Sequence, residues 1–495
     1  MMVIFAGAVA VGAALLSPAP RHARGCLRMD AGEMPLPPRI QVAGARPLTT
    51  SDGKRHGLSL SVLKSIDEVP RDAWDACASN QGQANPFVLW AYLHALEVSK
   101  SVAPEEGWMP HHLVAHDTAS GELVGAIPLY LKSHSYGEYV FDHSWARAYR
   151  STSMDLSNGG YYPKLQACIP FTPVTGARLL VANCDGSHGE AGAEERRATI
   201  RRVLARGLVA LSERLGVSSV HVTFGTRGAD GAALSTAGFL PRLGVQYMWR
   251  NEGYTSFEDY LSRLKQRRRK AVRQERRKVA DAGVVVHRLR GREILPEHWD
   301  ALYRFYFATV EEKWGRGYLK RGFFDSFGAD EEMAQRTLLV LATEPESGEI
   351  IAGALNLLGD DCVYGRLWGC DKRYDSLHFE MCYYQAIEAA IELGLPRVEA
   401  GAQGDHKLAR GYLPSLTYSW HHLRHEGFRK SVKSFLRKEI EQTYVSVATL
   451  ATRKNPFKGE PHAHLQRQGL RLEGKRVLVG EPVDSAPPAQ QSPVP

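Results

Sequence analysis

Two short patterns each occur twice in this 495-residue chain, in the same order, and that repetition restricts the fold more than any other feature. Ser120-Gly121-Glu122 lies between apolar runs in HLVAHDTASGELVGAIPL, and Ser347-Gly348-Glu349 lies between similar runs in VLATEPESGEIIAGAL. Ser-Gly supplies a tight turn between β-branched stretches, so each pattern predicts a hairpin. Further on, ALSERLGVSSVHV (210–222) and AAIELGLPRVEA (389–400) each predict the end of a helix, a glycine stop and a new strand. Gly216 then matches Gly394, and Val220 matches Val398. The hairpins are 227 residues apart and the helix ends 178, which leaves the first copy about 49 residues longer within 143–194.

Tandem ββ(β)αβ units follow, an α/β (α+β) fold in which each half has a mixed sheet with helices on its faces. A mass of 54.9 kDa is too large for one ordinary core and agrees with two. The boundaries read as a presequence and linker at 1–57, a first domain at 58–250, a second at 251–450, and a disordered Pro-rich tail at 451–495. In the second helix, Phe379, Cys382, Tyr383, Ala386, Ile387, Ala390 and Ile391 recur at three-to-four spacing, with Asp375 or Ser376 as the expected cap and Gly394 as the stop. Ile200, Val203, Leu204, Leu208, Leu211 and Leu215 repeat that stripe in the first.

The chain carries 62 basic and 54 acidic residues, a net charge of +8. Residues 263–278 hold ten Lys or Arg against one Glu, so the remainder nets −1 and a diffusely basic coat protein is excluded. This run keeps a thin apolar stripe (Leu261, Leu264, Val272, Val279) and stops at Gly283, a helix that packs lightly and presents cations. The imbalance is too one-sided for i,i+4 pairing, which points to an anionic ligand over a merely solvated face. Seven cysteines, odd in number and without a Cys-x-x-Cys pair, predict reduced thiols rather than a disulfide framework or a cysteine zinc site.

The apolar stretch 2–16 is shorter than a membrane span, Ser-Pro-Ala-Pro follows it, and Arg21, Arg24 and Arg28 precede the first acidic residue, Asp30. A removable targeting segment is expected, for a plastid first and a mitochondrion second, with the cytoplasm as destination if it is uncleaved. No integral membrane span is expected.

The densest polar run, VEAGAQGDHKLARGY at 398–412, leaves the last strand of the second copy into a glycine-rich loop, where functional groups gather. With Val398 facing inward, Glu399 takes the other side, and Gln403, His406, Lys407 and Arg410 follow it toward one cleft. Glu399 or His406 is a candidate general base, because an amine nucleophile must lose a proton, and Lys407 and Arg410 are candidates to hold a phosphate or carboxylate. A solvated loop with ordinary salt bridges is the competing explanation. YGRLWGC and LHFE place Arg366, Trp368, His378 and Glu380 between the central strand and the helix start; their spacing predicts no metal site. In the first copy, Tyr161, Tyr162 and Lys164 form a candidate binding rim, or else stiffen a long loop.

LKQRRRKAVRQERRKVADAG, FYFATVEEKWGRGYLKRGFF, AGALNLLG, YGRLWGC, LHFEMCYYQAIEAAIELGL and VEAGAQGDHKLARGYLP together resemble the FemAB-like N-acyltransferases, a family associated with peptidoglycan biosynthesis or recognition, over roughly 58–450. The resemblance implies two GNAT-like acyl-CoA N-acyltransferase folds in tandem. Similar Fem transferases join an amino acid from a charged tRNA to an amine of a cell-wall precursor. Their basic helix opens the second domain near the precursor's phosphates, the place taken here by Arg267, Arg268, Lys270 and Arg273. The wider acetyltransferase pattern includes a glycine-rich pyrophosphate loop at a helix start, which neither copy has; Cys370-Asp371-Lys372-Arg373-Tyr374-Asp375-Ser376 stands there, so ordinary acetyl-CoA use is not implied.

The expected activity is transfer of an acyl or aminoacyl group from an activated ester or thioester to an amine. Acyl-CoA and aminoacyl-tRNA are the candidate donors, and Glu399, His406 and Lys407 the candidate catalytic residues. Alternatives are a non-catalytic binder of RNA or anionic glycan on the same fold, and conventional acetyl-CoA transfer.

Overall fold

The computed structural model describes residues 48–49, 55–79, 85–151, 160–183, 189–314, 317–401, 404–474 and 476–482. The apolar stretch 2–16, the Pro-rich end beyond 482, and Gln403 lie outside the described residues.

Both hairpins form. Gly121 (φ +76°) turns between His112–Asp117 and Leu123–Ile127, and Gly348 (φ +68°) turns between Thr337–Thr343 and Ile350–Leu358. These backbone conformations carry no steric cost for glycine. Helix Gly189–Leu215 precedes strand Ser219–Gly225, and helix Gln385–Glu392 precedes strand Arg397–Glu399. The first helix buries Ile200, Leu204, Leu208 and Leu211 among Leu60, Leu113 and Val220, and the second buries Ala386, Ile387 and Ala390 among Val340, Val363 and Val398. At about 1.5–3 kcal/mol for a fully buried large aliphatic side chain, these stripes are the main force holding the helices to the sheets.

The halves do not keep separate sheets. An eleven-stranded sheet runs in the order Val285–Arg290, Thr337–Thr343, Ile350–Leu358, Cys362–Cys370, Arg397–Glu399, Leu240–Arg250, Leu413–Leu423, Ser219–Gly225, Lys164–Ala167, Leu129–Lys132 and Trp108–Pro110. A four-stranded sheet in the first half contains the first hairpin. In the large sheet, Leu240–Arg250 of the first half lies against Arg397–Glu399 of the second, and Leu413–Leu423 of the second lies against Ser219–Gly225 of the first. Each half thus lends its last strand to the other. The lent strands also pair antiparallel with one another, from Leu240 opposite His421 to Met248 opposite Leu413.

Three local features differ from the sequence expectation. Residues 451–482, expected as part of a disordered tail, finish helix Glu426–Arg453 and form helix His462–Gln466 and the hairpin Leu470–Glu473/Arg476–Val479, because Leu465 and Leu470 bury against Val447, Ala448 and Ala451. The additional residues of the first copy fall on both sides of strand Lys164–Ala167, at 133–163 and 168–188, instead of in one block within 143–194. Ser376 precedes the second helix, but with φ +69° and no capping hydrogen bond. That helix also contains a wider π turn at Glu380–Tyr384. A π turn inserts an extra residue, so neighbouring side chains share a face they would otherwise divide. Tyr383 and Tyr384 both reach the polar loop as a result.

Candidate functional site

The central strands of the second half separate as they run. Cys362–Cys370 pairs in parallel with Arg397–Glu399 from Cys362 opposite Arg397 to Tyr364 opposite Glu399. On its other side it stays paired to Cys370, opposite Ala352. Residues 365–370 consequently have no strand partner on the separating side among the described residues. The antiparallel register slips between the Leu355–Leu367 and Asn356–Gly365 pairs, which makes Arg366 the extra residue of a β-bulge. Bulges end pairing and re-aim a side chain. Arg366 swings against the first half, with its guanidinium 5.0 Å from the Phe87 ring and 5.1 Å from that of Tyr364. Nη1 donates to Gly365 O (2.9 Å), Nη2 lies 3.3 Å from Glu399 Oε2, and buried Nε has no partner among the described residues.

Glu399 ends its strand opposite this bulge. The alternation that puts Val398 on the helix face turns Glu399 to the other face, and both are buried. The second face is covered by the first half: Thr175 donates its hydroxyl hydrogen bond to Glu399 Oε1, and Arg397 Nε approaches the same oxygen at 3.9 Å. Glu399 is therefore the enclosed hub of a cationic and hydroxyl cluster, not the open cleft residue expected from the loop's polarity.

The 3₁₀ turn Asp405–Arg410 closes the separated end. Lys407 is buried and donates to the carbonyl oxygens of Ala400 and Gly401, the latter at 3.2 Å, while Tyr247 of a lent strand lies 6.0 Å away. Burial pulls the Lys407 amine down to about 8. His406 is exposed, its Nε2 lies 2.9 Å from Tyr383 Oη, and partial burial lowers its pKa.

Arg410 does not point a free charge at ligand. It pairs with Glu275 (2.6 Å), receives support from Tyr384 Oη (3.0 Å) and packs 3.4 Å from the centre of the Phe379 ring. Glu275 is the single acid of the basic run, so this contact fastens helix Gln266–Asp281 to the site. Arg276 reinforces it by bonding Glu380 (3.0 Å) and Glu388 (2.7 Å). The outer surface of that helix exposes Arg267, Lys270, Arg273 and Arg277, with Arg268 half-buried. Arg273 bonds Glu258, whereas Arg267, Arg268, Lys270 and Arg277 have no ion-pair partner among the described residues.

Trp368 meets His378 edge-on at 5.2 Å on the strand leaving the bulge. The turn from Cys370 into the helix is closed by Lys372–Glu344 (2.8 Å) and Asp375–Lys278 (2.6 Å).

The rim expected in the first copy has another role. Lys164 is fully buried between Glu138 (2.7 Å) and Asp142 (2.6 Å), and Tyr162 is half-buried with its hydroxyl 2.8 Å from Ser135 Oγ. The matching strands here, Lys164–Ala167 and Ser219–Gly225, also pair in parallel, but the segment that follows crosses their far end. There Gly176 N donates to Phe224 O (3.0 Å), Arg178 N donates to Asp230 (2.9 Å), and the buried Arg178 guanidinium bonds the carbonyls of Val174, Gly176 and Ala177. The first half fills its own opening and sends Thr175 into the second.

The sequence places Glu399, His406, Lys407 and Arg410 toward one cleft and Arg366 apart from them, before the helix start, and it gives no sign of Thr175, Phe87, Tyr247, Glu275 or Tyr383 as partners. Those partners come from distant elements, and no local spacing marks them. The nearest hint was the aromatic and proline content of PFTPVTGARL.

The sequence matches the FemAB-like family model, described as peptidoglycan biosynthesis/recognition, over residues 65–459. No curated protein matches it. Among solved structures, FemX is similar at 11% identity and TM-score 0.44, covering 74% of this chain and 98% of that one. L-PGS from Bacillus licheniformis is similar at 10% identity and TM-score 0.43, covering 74% of this chain and 97% of that one. A tandem GNAT protein from the clavulanic acid biosynthesis pathway is 13% identical, with TM-score 0.35 and coverage of 74% and 98%.

Proposed function

The chain belongs to the FemAB-like family, and on that premise we propose that it transfers an acyl or aminoacyl group to an amine at the strand opening of its second half. The observation that carries this reading is the edge 365–370, without a strand partner among the described residues, beside the Arg366–Glu399 pair, with the buried Lys407 amine within reach of the Arg366 charge. Main-chain N–H groups on such an edge are fixed donors for an oxyanion and need no reorganisation during reaction.

The amine nitrogen attacks the carbonyl carbon of an ester or thioester donor. The new C–N bond forms as the C–O or C–S bond breaks, the alkoxide or thiolate leaves with a proton, and the attacking nitrogen gives one up. Lys407 suits that exchange. Its neutral amine can spend two N–H groups on Ala400 O and Gly401 O and keep its lone pair, and a group titrating near 8 is well matched to neutral operation. Glu399 holds Arg366 and Thr175 in position, His406 at the exposed lip orients the acceptor, and the free cations of the basic helix bind phosphate on one substrate.

Acyl-CoA and aminoacyl-tRNA both fit as donors, each an activated carbonyl on a phosphate-bearing carrier. The test offers both donors to the purified protein with a panel of amines and follows labelled product. Transfer that Glu399→Gln and Lys407→Ala slow by orders of magnitude supports the roles given. Variants as fast as wild type overturn the roles, and no product from either donor overturns the reading.

A further inference from the structure

A second cationic surface is built around segment 133–142, SHSYGEYVFD. Its residues alternate between two environments. Glu138 and Asp142 turn inward and clasp the buried Lys164, and Lys132 Nζ donates to Tyr136 O (2.9 Å). Tyr161 Oη adds a bond to Asp142 (2.6 Å). Tyr136 and Phe141 turn outward, 55% and 54% exposed, with His143 between them at 5.7 and 5.8 Å. A buried ionic clasp therefore holds large aromatic rings in water.

Arg242 joins this segment to helix Glu426–Arg453. It donates from Nη1 to Phe141 O (2.9 Å) and pairs through Nε with Glu439 (2.9 Å). Tyr149 of helix His143–Arg150 packs on Phe428 at 5.2 Å. Phe435 stands one turn before Glu439, on the same side of the helix by its spacing, and is 48% exposed. Beside these rings, Arg147 and Arg150 share the His143 side of their helix by spacing and Lys438 shares the Phe435 side of its own; all three are exposed and have no ion-pair partner among the described residues.

We propose that this face docks on an anionic membrane surface, with Phe141 and Phe435 entering the headgroup boundary and the three cations facing lipid phosphates. Apolar rings flanked by Lys and Arg gain from interfacial burial and from the negative surface potential together, and long basic side chains keep their charge at the headgroups. A single-stranded nucleic acid is served better by a charged groove that tracks its backbone. Two surface cavities, of about 760 and 490 Å³, are lined in part by Arg71, Arg290 and Arg336 and by Arg276, Val284 and Glu380, and neither includes a residue of this face. Among the described residues no helix is long and apolar enough to cross a membrane.

The test is co-sedimentation of the full chain with phosphatidylcholine vesicles, with and without phosphatidylglycerol, across a salt series. Binding is expected only to the anionic vesicles and weakens as salt rises. Arg147→Gln/Arg150→Gln/Lys438→Gln lowers it by on the order of 100-fold. Phe141→Ser/Phe435→Ser also lowers it. Wild-type binding that is absent, or equal on both vesicle types, overturns the proposal without any variant. Tighter binding of a single-stranded oligonucleotide, lost in the same triple variant, overturns it in favour of nucleic acid.

Discussion

Thr175, carried by the first half, donates its hydroxyl hydrogen bond to Glu399, carried by the second. A hydrogen bond to an ionised group is worth about 1.5–3 kcal/mol, so losing its geometry costs about 10- to 100-fold if Glu399 must stay aligned with Arg366 during transfer. Thr175→Val should lower kcat/KM by that amount and Thr175→Ser should restore it, with both melting within a few degrees of wild type. A Val variant as active as wild type would reduce the contact to a structural tie.

Lys407 makes a prediction about pH and stability. Burial holds its folded pKa at about 8, below the value of about 10.4 in an unfolded chain. Between those values the unfolded chain binds more protons, so this residue's contribution to stability rises with pH across the window, and its full penalty is present below it. Urea midpoints of wild type should therefore gain on those of Lys407→Met as the pH is raised from about 8 to about 10. Parallel curves would mean that the amine is more hydrated than its burial implies.

His221 and His421 face each other Nδ1 to Nδ1 at 2.7 Å, across strands that belong to different halves. One ring must donate and the other accept, so the pair cannot take a proton on both Nδ1 atoms and keep this contact. Burial lowers His221 to about 3 and His421 far below its ordinary value, and His422 and His464 are lowered to about 4. Their neutral forms fit the fold. As pH falls below about 6.5 the unfolded chain gains protons that the folded chain does not, and stability is lost toward about pH 3. His221→Gln/His421→Gln should flatten that loss in denaturant titrations between neutral and acid pH.

The exchanged strands predict that neither half folds alone. Residues 58–250 would expose Leu240–Arg250 without Leu413–Leu423 or Arg397–Glu399 beside it, and the second half would lose the reverse contacts. Expressed separately, the halves should aggregate or lack near-ultraviolet circular dichroism, and co-expressed they should purify as a one-to-one complex. A soluble, cooperatively melting first half would refute this.

Much of the site was legible because strand and helix periods are local. The step from Val398 to Glu399 and the glycine-rich exit brought Glu399, Lys407 and Arg410 together on paper. What the loop's polarity misjudged was exposure: Glu399 is buried because a segment more than two hundred residues earlier covers it, and Arg410 is spoken for by Glu275. The repeat similarly implied two sheets, and local sequence held no sign that each would take the other's last strand.

By itself the sequence determined the elements, their duplication, and the concentration of its net positive charge in residues 263–278, since all three follow from patterns spanning a few turns or a few strand residues. Tertiary structure alone decided which half keeps an opening. Loop 168–179 fills one pair of separating strands and braces Glu399 at the other, a choice made by side chains that meet only after the strands have crossed.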